Sequence, residues 1–111
     1  MMMEASGPRG LDRRRFPRYQ FPAHLEIEWG SAKLKARIRD ISADGMFIES
    51  EDVLWVGAGF RACIPAERPV WLDCSVTRVE PGRGMGVSVA PAEDDSLREY
   101  HELLAKLATR S

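Results

Sequence analysis

The sequence predicts an all-β domain, a six-stranded antiparallel barrel with one α-helix packed on it at the C-terminal end. Three observations carry this. Apolar and polar residues alternate in short runs from Leu25 to Val89, and turn formers separate the runs at hairpin spacing. After Pro91 the period changes, with Leu97, Tyr100, Leu104 and Leu107 recurring on one helical face and Ala108 beside them. A length of 111 residues, 44% hydrophobic and 30% charged, suits one core in one domain rather than a disordered chain.

Taken in order, residues 1–10 read as a flexible leader, with Gly7, Pro8 and Gly10 and almost no apolar payload, and residues 11–109 as the domain. Leu25, Ile27 and Trp29 alternate with Glu26 and Glu28 in the first strand, and Gly30-Ser31 makes a tight turn. Leu34, Ala36 and Ile38 alternate with Lys33, Lys35, Arg37 and Arg39 in the second. The acidic outer row of the first strand can face the basic row of the second, at a few tenths to about 1 kcal/mol per pair. At Asp40–Gly45 the alternation fails in favour of turn formers. Met46–Ile48 make a short third strand, and the loop after it carries Leu54 and Trp55. Phe60, Ala62 and Ile64 mark the fourth strand. Val70, Leu72, Cys74 and Val76 are the inward row of a long fifth. Pro81–Gly84 turn into a sixth strand with Met85, Val87 and Val89 inward. Ser96-Leu97-Arg98-Glu99 matches a capping box at the start of the helix.

Several function classes find little support. The net charge of −1 argues against bulk attraction to nucleic acid or membrane. No run approaches the roughly 18 apolar residues of a membrane span, and the leader lacks the apolar stretch of a signal peptide, so a cytoplasmic location is the default. Cys63 and Cys74 sit in apolar runs and read as buried free thiols, with a disulfide or a reactive thiol as the alternatives. His24 and His101 stand apart from any nucleophilic or metal-ligating cluster, so no enzyme, metal or cofactor is expected. Gly82-Arg83-Gly84-Met85-Gly86 leads into a strand, not a helix, and reads as a hairpin turn rather than a dinucleotide-phosphate loop.

Charge is distributed unevenly. Of the 16 cationic residues 13 are Arg, and five of these lie between Arg9 and Arg18. Within Arg13–Arg18 four guanidinium groups occupy six residues, with Pro17 stiffening the backbone. Such a cluster is either a solvated surface or an anion site. The stretch Asp40-Ile41-Ser42-Ala43-Asp44-Gly45 favours the second reading. Asp40 can accept from the N–H donors of a base edge, Ser42 offers a hydroxyl, and Gly45 admits close backbone approach. Arg14 and Arg18 can fork onto phosphate or the O6/N7 edge of guanine, or stack on purine faces.

The R-x-x-x-R of Arg14–Arg18, followed by the D-x-S-x-x-G of Asp40–Gly45 with two strands between, resembles the PilZ domain family of bacterial cyclic di-GMP receptors. Gly84-Met85-Gly86-Val87 and the terminal helix add to the likeness, which spans roughly residues 11–107. The resemblance implies a six-stranded antiparallel split barrel whose outer surface, with the N-terminal arm, holds cyclic di-GMP. The implied contacts are Arg13, Arg14, Arg18, Asp40, Ser42 and Gly45. Arg15, Arg37, Arg39 and Arg78 are either secondary contacts or solvated, salt-bridging residues. On this reading the arm is loose until the ligand neutralises it, and the output is a changed surface offered to an unidentified effector protein. One or two bound ligand molecules remain open. The rival reading is a small barrel that binds single-stranded nucleic acid through the basic arm.

Overall fold

A computed structural model describes residues 16–51, 53–65, 68–92 and 94–110. Alternation places one side of each strand in a common interior. The strands are β1 (Tyr19–Trp29), β2 (Ala32–Ile41), β3 (Gly45–Glu49), β4 (Gly59–Ile64), β5 (Val70–Glu80) and β6 (Gly84–Pro91), followed by helix α1 (Asp94–Arg110). All pairings are antiparallel and close into a barrel in the order β1-β2-β3-β6-β5-β4. The seam is β1 with β4, where Glu26, Ile27 and Glu28 face Cys63, Ala62 and Arg61. The three-residue seam is enough to close the sheet on itself.

Leu25, Ile38, Ile41, Met46, Ile48, Leu72, Val76 and Met85 fill the interior, each at most 2% exposed. Each such side chain contributes on the order of 1.5–3 kcal/mol by leaving water. Cys63 and Cys74 are both buried and free, as their apolar runs predict. Leu54 belongs to this core, whereas its neighbour Trp55 remains 60% exposed with its ring edge-on to Trp29.

Helix α1 packs on the barrel through Tyr100 and Leu107, flanked by Leu103 and Leu104. Two helix expectations need correction. The helix begins at Asp94, so Ser96 lies inside its first turn rather than capping it. Its hydroxyl accepts the Trp71 backbone N–H at 2.9 Å, which ties the helix to β5. Leu97 is 44% exposed, because Ser96 takes the buried place one turn before Tyr100.

The first strand starts at Tyr19, earlier than the alternation from Leu25 suggests. Its early part is disguised by Pro22 beside a register shift between Gln20 and Ala23, where a residue without an N–H is tolerated. The expected turn from Asp40 is also shorter, since β2 runs on through Ile41.

Candidate functional site

Strand irregularity builds the site. On β2 the interior residues are Ile38 and Ile41, so Arg39 and Asp40 both stay on the outer side. The cause is a bulge between Ile38 and Asp40 in the pairing with β3. On β5 the same device, between Val76 and Arg78, leaves Thr77 and Arg78 exposed in succession. Bulges of this kind re-aim side chains at the cost of a local ladder bond.

These shifts align a row across five strands. Gln20 pairs with Asp40, Asp40 with Phe47, Phe47 with Gly86, and Gly86 with Arg78. Phe47 alternates with the core residues Met46 and Ile48, yet it is only 1% exposed. Guanidinium groups help to cover it, with the Arg39 Cζ 4.0 Å and the Arg78 Cζ 5.7 Å from its ring centroid.

Asp40 joins the two motifs. Its Oδ1 accepts from Arg18 Nε at 2.9 Å and Nη2 at 2.5 Å, and its Oδ2 accepts from Arg39 Nε at 2.9 Å. Partial burial pushes the Asp40 carboxyl upward, but the hydrogen bonds and charges of Arg18 and Arg39 outweigh it and hold the pKa below its ordinary value. A depression of about 230 Å³ opens here, lined by Arg18, Tyr19, Gln20, Arg39, Asp40 and Arg78. A neighbouring one of about 360 Å³ shares Arg18, Tyr19 and Gln20 and reaches Leu107 and Arg110 of α1. Three guanidinium groups around one carboxylate suit an anion with flat, hydrogen-bonding faces.

Ser42 and Gly45 take a different part. Ser42 is fully buried; its hydroxyl donates to Asp44 Oδ1 at 2.7 Å and lies 3.3 Å from the Gly45 carbonyl oxygen. The Ser42 N–H donates to that same carbonyl at 2.8 Å, closing the turn into β3. Its own carbonyl accepts from the Tyr100 hydroxyl of α1 at 2.5 Å. A Cβ on Gly45 would stand 2.5 Å from the Val87 carbonyl oxygen, so close β3–β6 approach calls for glycine there. In this structure Ser42 and Gly45 shape the turn beneath Asp40, and their side-chain positions face protein.

Arg18, Asp40, Ser42 and Gly45 thus gather at one end of the β2–β3 hairpin. Arg13 and Arg14 lie outside the described residues, as do Arg15 and the leader. Tyr19, Gln20, Phe47, Tyr100 and Arg110 had no place in the sequence-derived site. Nothing in linear spacing marks them, because barrel register and helix docking bring them in. No group of three His, Cys, Asp or Glu placed to hold a metal occurs among the described residues.

The family model of the PilZ domain matches residues 12–106. The chain belongs to the PilZ domain family. Its fold is shared by solved PilZ structures at low identity. The PilZ domain of Escherichia coli YcgR, solved with c-di-GMP, superposes with a TM-score of 0.72 at 16% identity, over 88% of this chain and 93% of that one. The K. pneumonia MrkH–c-di-GMP complex gives 0.73 at 18%, over 89% and 53%. The Bacillus subtilis inhibitor of motility MotI gives 0.70 at 21%, over 90% and 51%. The chain therefore spans about half the length of MotI and of MrkH. A comparison with curated proteins found no match. Among the described residues no helix of this PilZ domain is long and apolar enough to cross a membrane.

Proposed function

We propose that this PilZ domain is a binding module rather than an enzyme, a receptor for cyclic di-GMP in the bacterial cytoplasm. The observation that carries the reading is the Arg18–Asp40 pair, which joins the arginine motif to the D-x-S-x-x-G motif across 22 residues at an arginine-lined depression. Support also comes from YcgR and MrkH, PilZ proteins solved with c-di-GMP. Asp40 accepts the N–H donors of a guanine edge, a role for which an ionised carboxylate is suited. Arg18, with Arg13 and Arg14, forks onto phosphate or onto guanine O6/N7. Ser42 and Gly45 hold the turn that aims Asp40.

The second half of the proposal concerns output. Arg13, Arg14, Arg15 and Arg18 repel one another, and two ligand phosphates remove that repulsion. Binding therefore draws the arm onto the barrel and offers an altered surface to an effector protein. Calorimetric titration with cyclic di-GMP tests the first half. Saturable binding at micromolar concentration, weakened at least about tenfold in Arg18→Ala and in Asp40→Ala, is the expected result. No heat at those concentrations, or full affinity in both variants, would sink the reading.

A further inference from the structure

Strand β2 pairs with β1 along its length, down to Trp29 and Ala32 at the turn. On its other side β3 ends at Glu49, opposite Arg37, and no strand among the described residues pairs there with residues 32–36. The two-residue turn Gly30-Ser31 makes Trp29 and Ala32 the closing hydrogen-bonded pair of the hairpin. Alternation from that pair turns the backbone N–H and C=O of Leu34 and Ala36 to β1, and those of Lys33 and Lys35 away from it. A groove of about 260 Å³ lies along this free edge, its lining shared between Lys33 and Lys35 and the apolar Ile27, Leu34, Leu54 and Met85. Next to Leu54, Trp55 and Val56 are exposed, and Trp55 meets Trp29 of the hairpin edge-on.

We propose that the free edge of β2 is a docking site for another protein, taking an extended segment in which carboxylates alternate with apolar side chains. Such a segment adds a strand where β3 stops, its backbone meeting the N–H and C=O groups of Lys33 and Lys35. Strand periodicity then dictates its chemistry. Its outer side chains stand beside the Lys33 and Lys35 ammonium groups, and those between them turn inward with Leu34 to the groove. Glu28 and Glu26 face these lysines across the hairpin, yet neither lysine comes within ion-pair distance of a described carboxylate. The described residues thus leave both ammonium groups to a partner's carboxylates. A second copy of this chain is the wrong occupant. Edge-to-edge pairing would set the two lysines against their own counterparts, and like charges directly opposite one another repel. Lysine therefore guards the edge against self-association and selects an acidic strand. Lys33 and Asp40 stand seven residues apart on β2, roughly 23 Å, so this edge is separate from the arginine-lined depressions and the proposal stands without the receptor reading.

Amide hydrogen exchange followed by NMR tests this, in the free protein and with a hexapeptide of alternating glutamate and valine. In the free protein the Lys33 and Lys35 amides exchange at least about tenfold faster than those of Leu34 and Ala36, which are bonded to β1. Peptide at about ten times its Kd, measured by fluorescence anisotropy of a labelled sample, slows Lys33 and Lys35 about tenfold. Lys33→Glu combined with Lys35→Glu weakens that binding about tenfold and moves the preference to the matching lysine–valine hexapeptide. Lys106→Glu, the same change on α1, stays within about twofold of wild type. A thermal transition verifies the fold of each variant, and should the double variant fail to fold, Lys35→Glu alone decides. Slow exchange at Lys33 and Lys35 in the free protein means an edge already paired and overturns the proposal. No protection at about 1 mM peptide overturns it, as does equal weakening by Lys106→Glu. Protection that grows with protein concentration without peptide also overturns it, in favour of a second copy.

Discussion

Asp40 is the residue on which charge, burial and register converge. A carboxylate with 16% of its side-chain surface exposed keeps its charge because two guanidinium groups satisfy both oxygens. The pKa lies below the ordinary 3.8, and the sign of the linkage follows. The pairing stabilises the fold at and above that ordinary value, and the contribution is lost as pH falls through the lowered folded value. Urea midpoints measured from neutral to acid pH therefore fall less steeply in Asp40→Asn than in wild type over the acid limb. Equal slopes would show that the pairs contribute nothing to folding. Cys74 makes the opposite case. Burial, followed by the charge of Asp73, pushes its thiol up to about 12, so it stays protonated at neutral pH. Thiol reagents should label it only after denaturant unfolds the barrel, and rapid labelling of the native protein would contradict its burial.

At the scale of elements, the β2–β3 turn and α1 are one mechanical unit. Tyr100 is buried, and its hydroxyl donates to the Ser42 carbonyl within the D-x-S-x-x-G turn. Burial, with the charge of Asp44 adding to it, raises the phenol pKa, so the proton needed for that bond is retained. Tyr100→Phe deletes one buried hydrogen bond and costs about 1 kcal/mol, a fall in Tm of roughly 4–8 °C. If the turn aims Asp40, the same change also weakens cyclic di-GMP binding, although Tyr100 lines neither depression. Unchanged Tm would remove the bond from the energetics of the fold. Alternation from Leu25 onward and the change of period after Pro91 made strands and helix legible in the sequence. The two motifs made Arg18 and Asp40 legible. What alternation hides is the bulge, because Arg39-Asp40 and Thr77-Arg78 look like lost pattern or ordinary outer residues until register is known. Ser96 was misread for a related reason. Its spacing to Glu99 fits a cap, but the Trp71 N–H, 25 residues away, is its partner.

For the whole molecule, closure of β1 against β4 fixes where function can reside. The interior is packed mainly with aliphatic side chains, so the barrel presents a rigid outer surface on which a row of side chains is held in register. Rigid elements hold such constellations better than loops do. The proposed switch must then lie in what attaches to that surface, and the depressions beside Arg18 lie where the chain enters β1 from the arginine arm. Tyr19 packs at the margin of the core directly after Arg18, which anchors the end of that arm to the barrel. If two phosphates relieve the repulsion among Arg13, Arg14, Arg15 and Arg18, the ligand protects the peptide bonds after those residues from trypsin. Protection should saturate with the calorimetric affinity and vanish in Asp40→Ala, whose arm retains every arginine. Cleavage at the same rate with and without cyclic di-GMP, in a protein that binds it, would confine the ligand to the barrel face and leave the arm out of the switch.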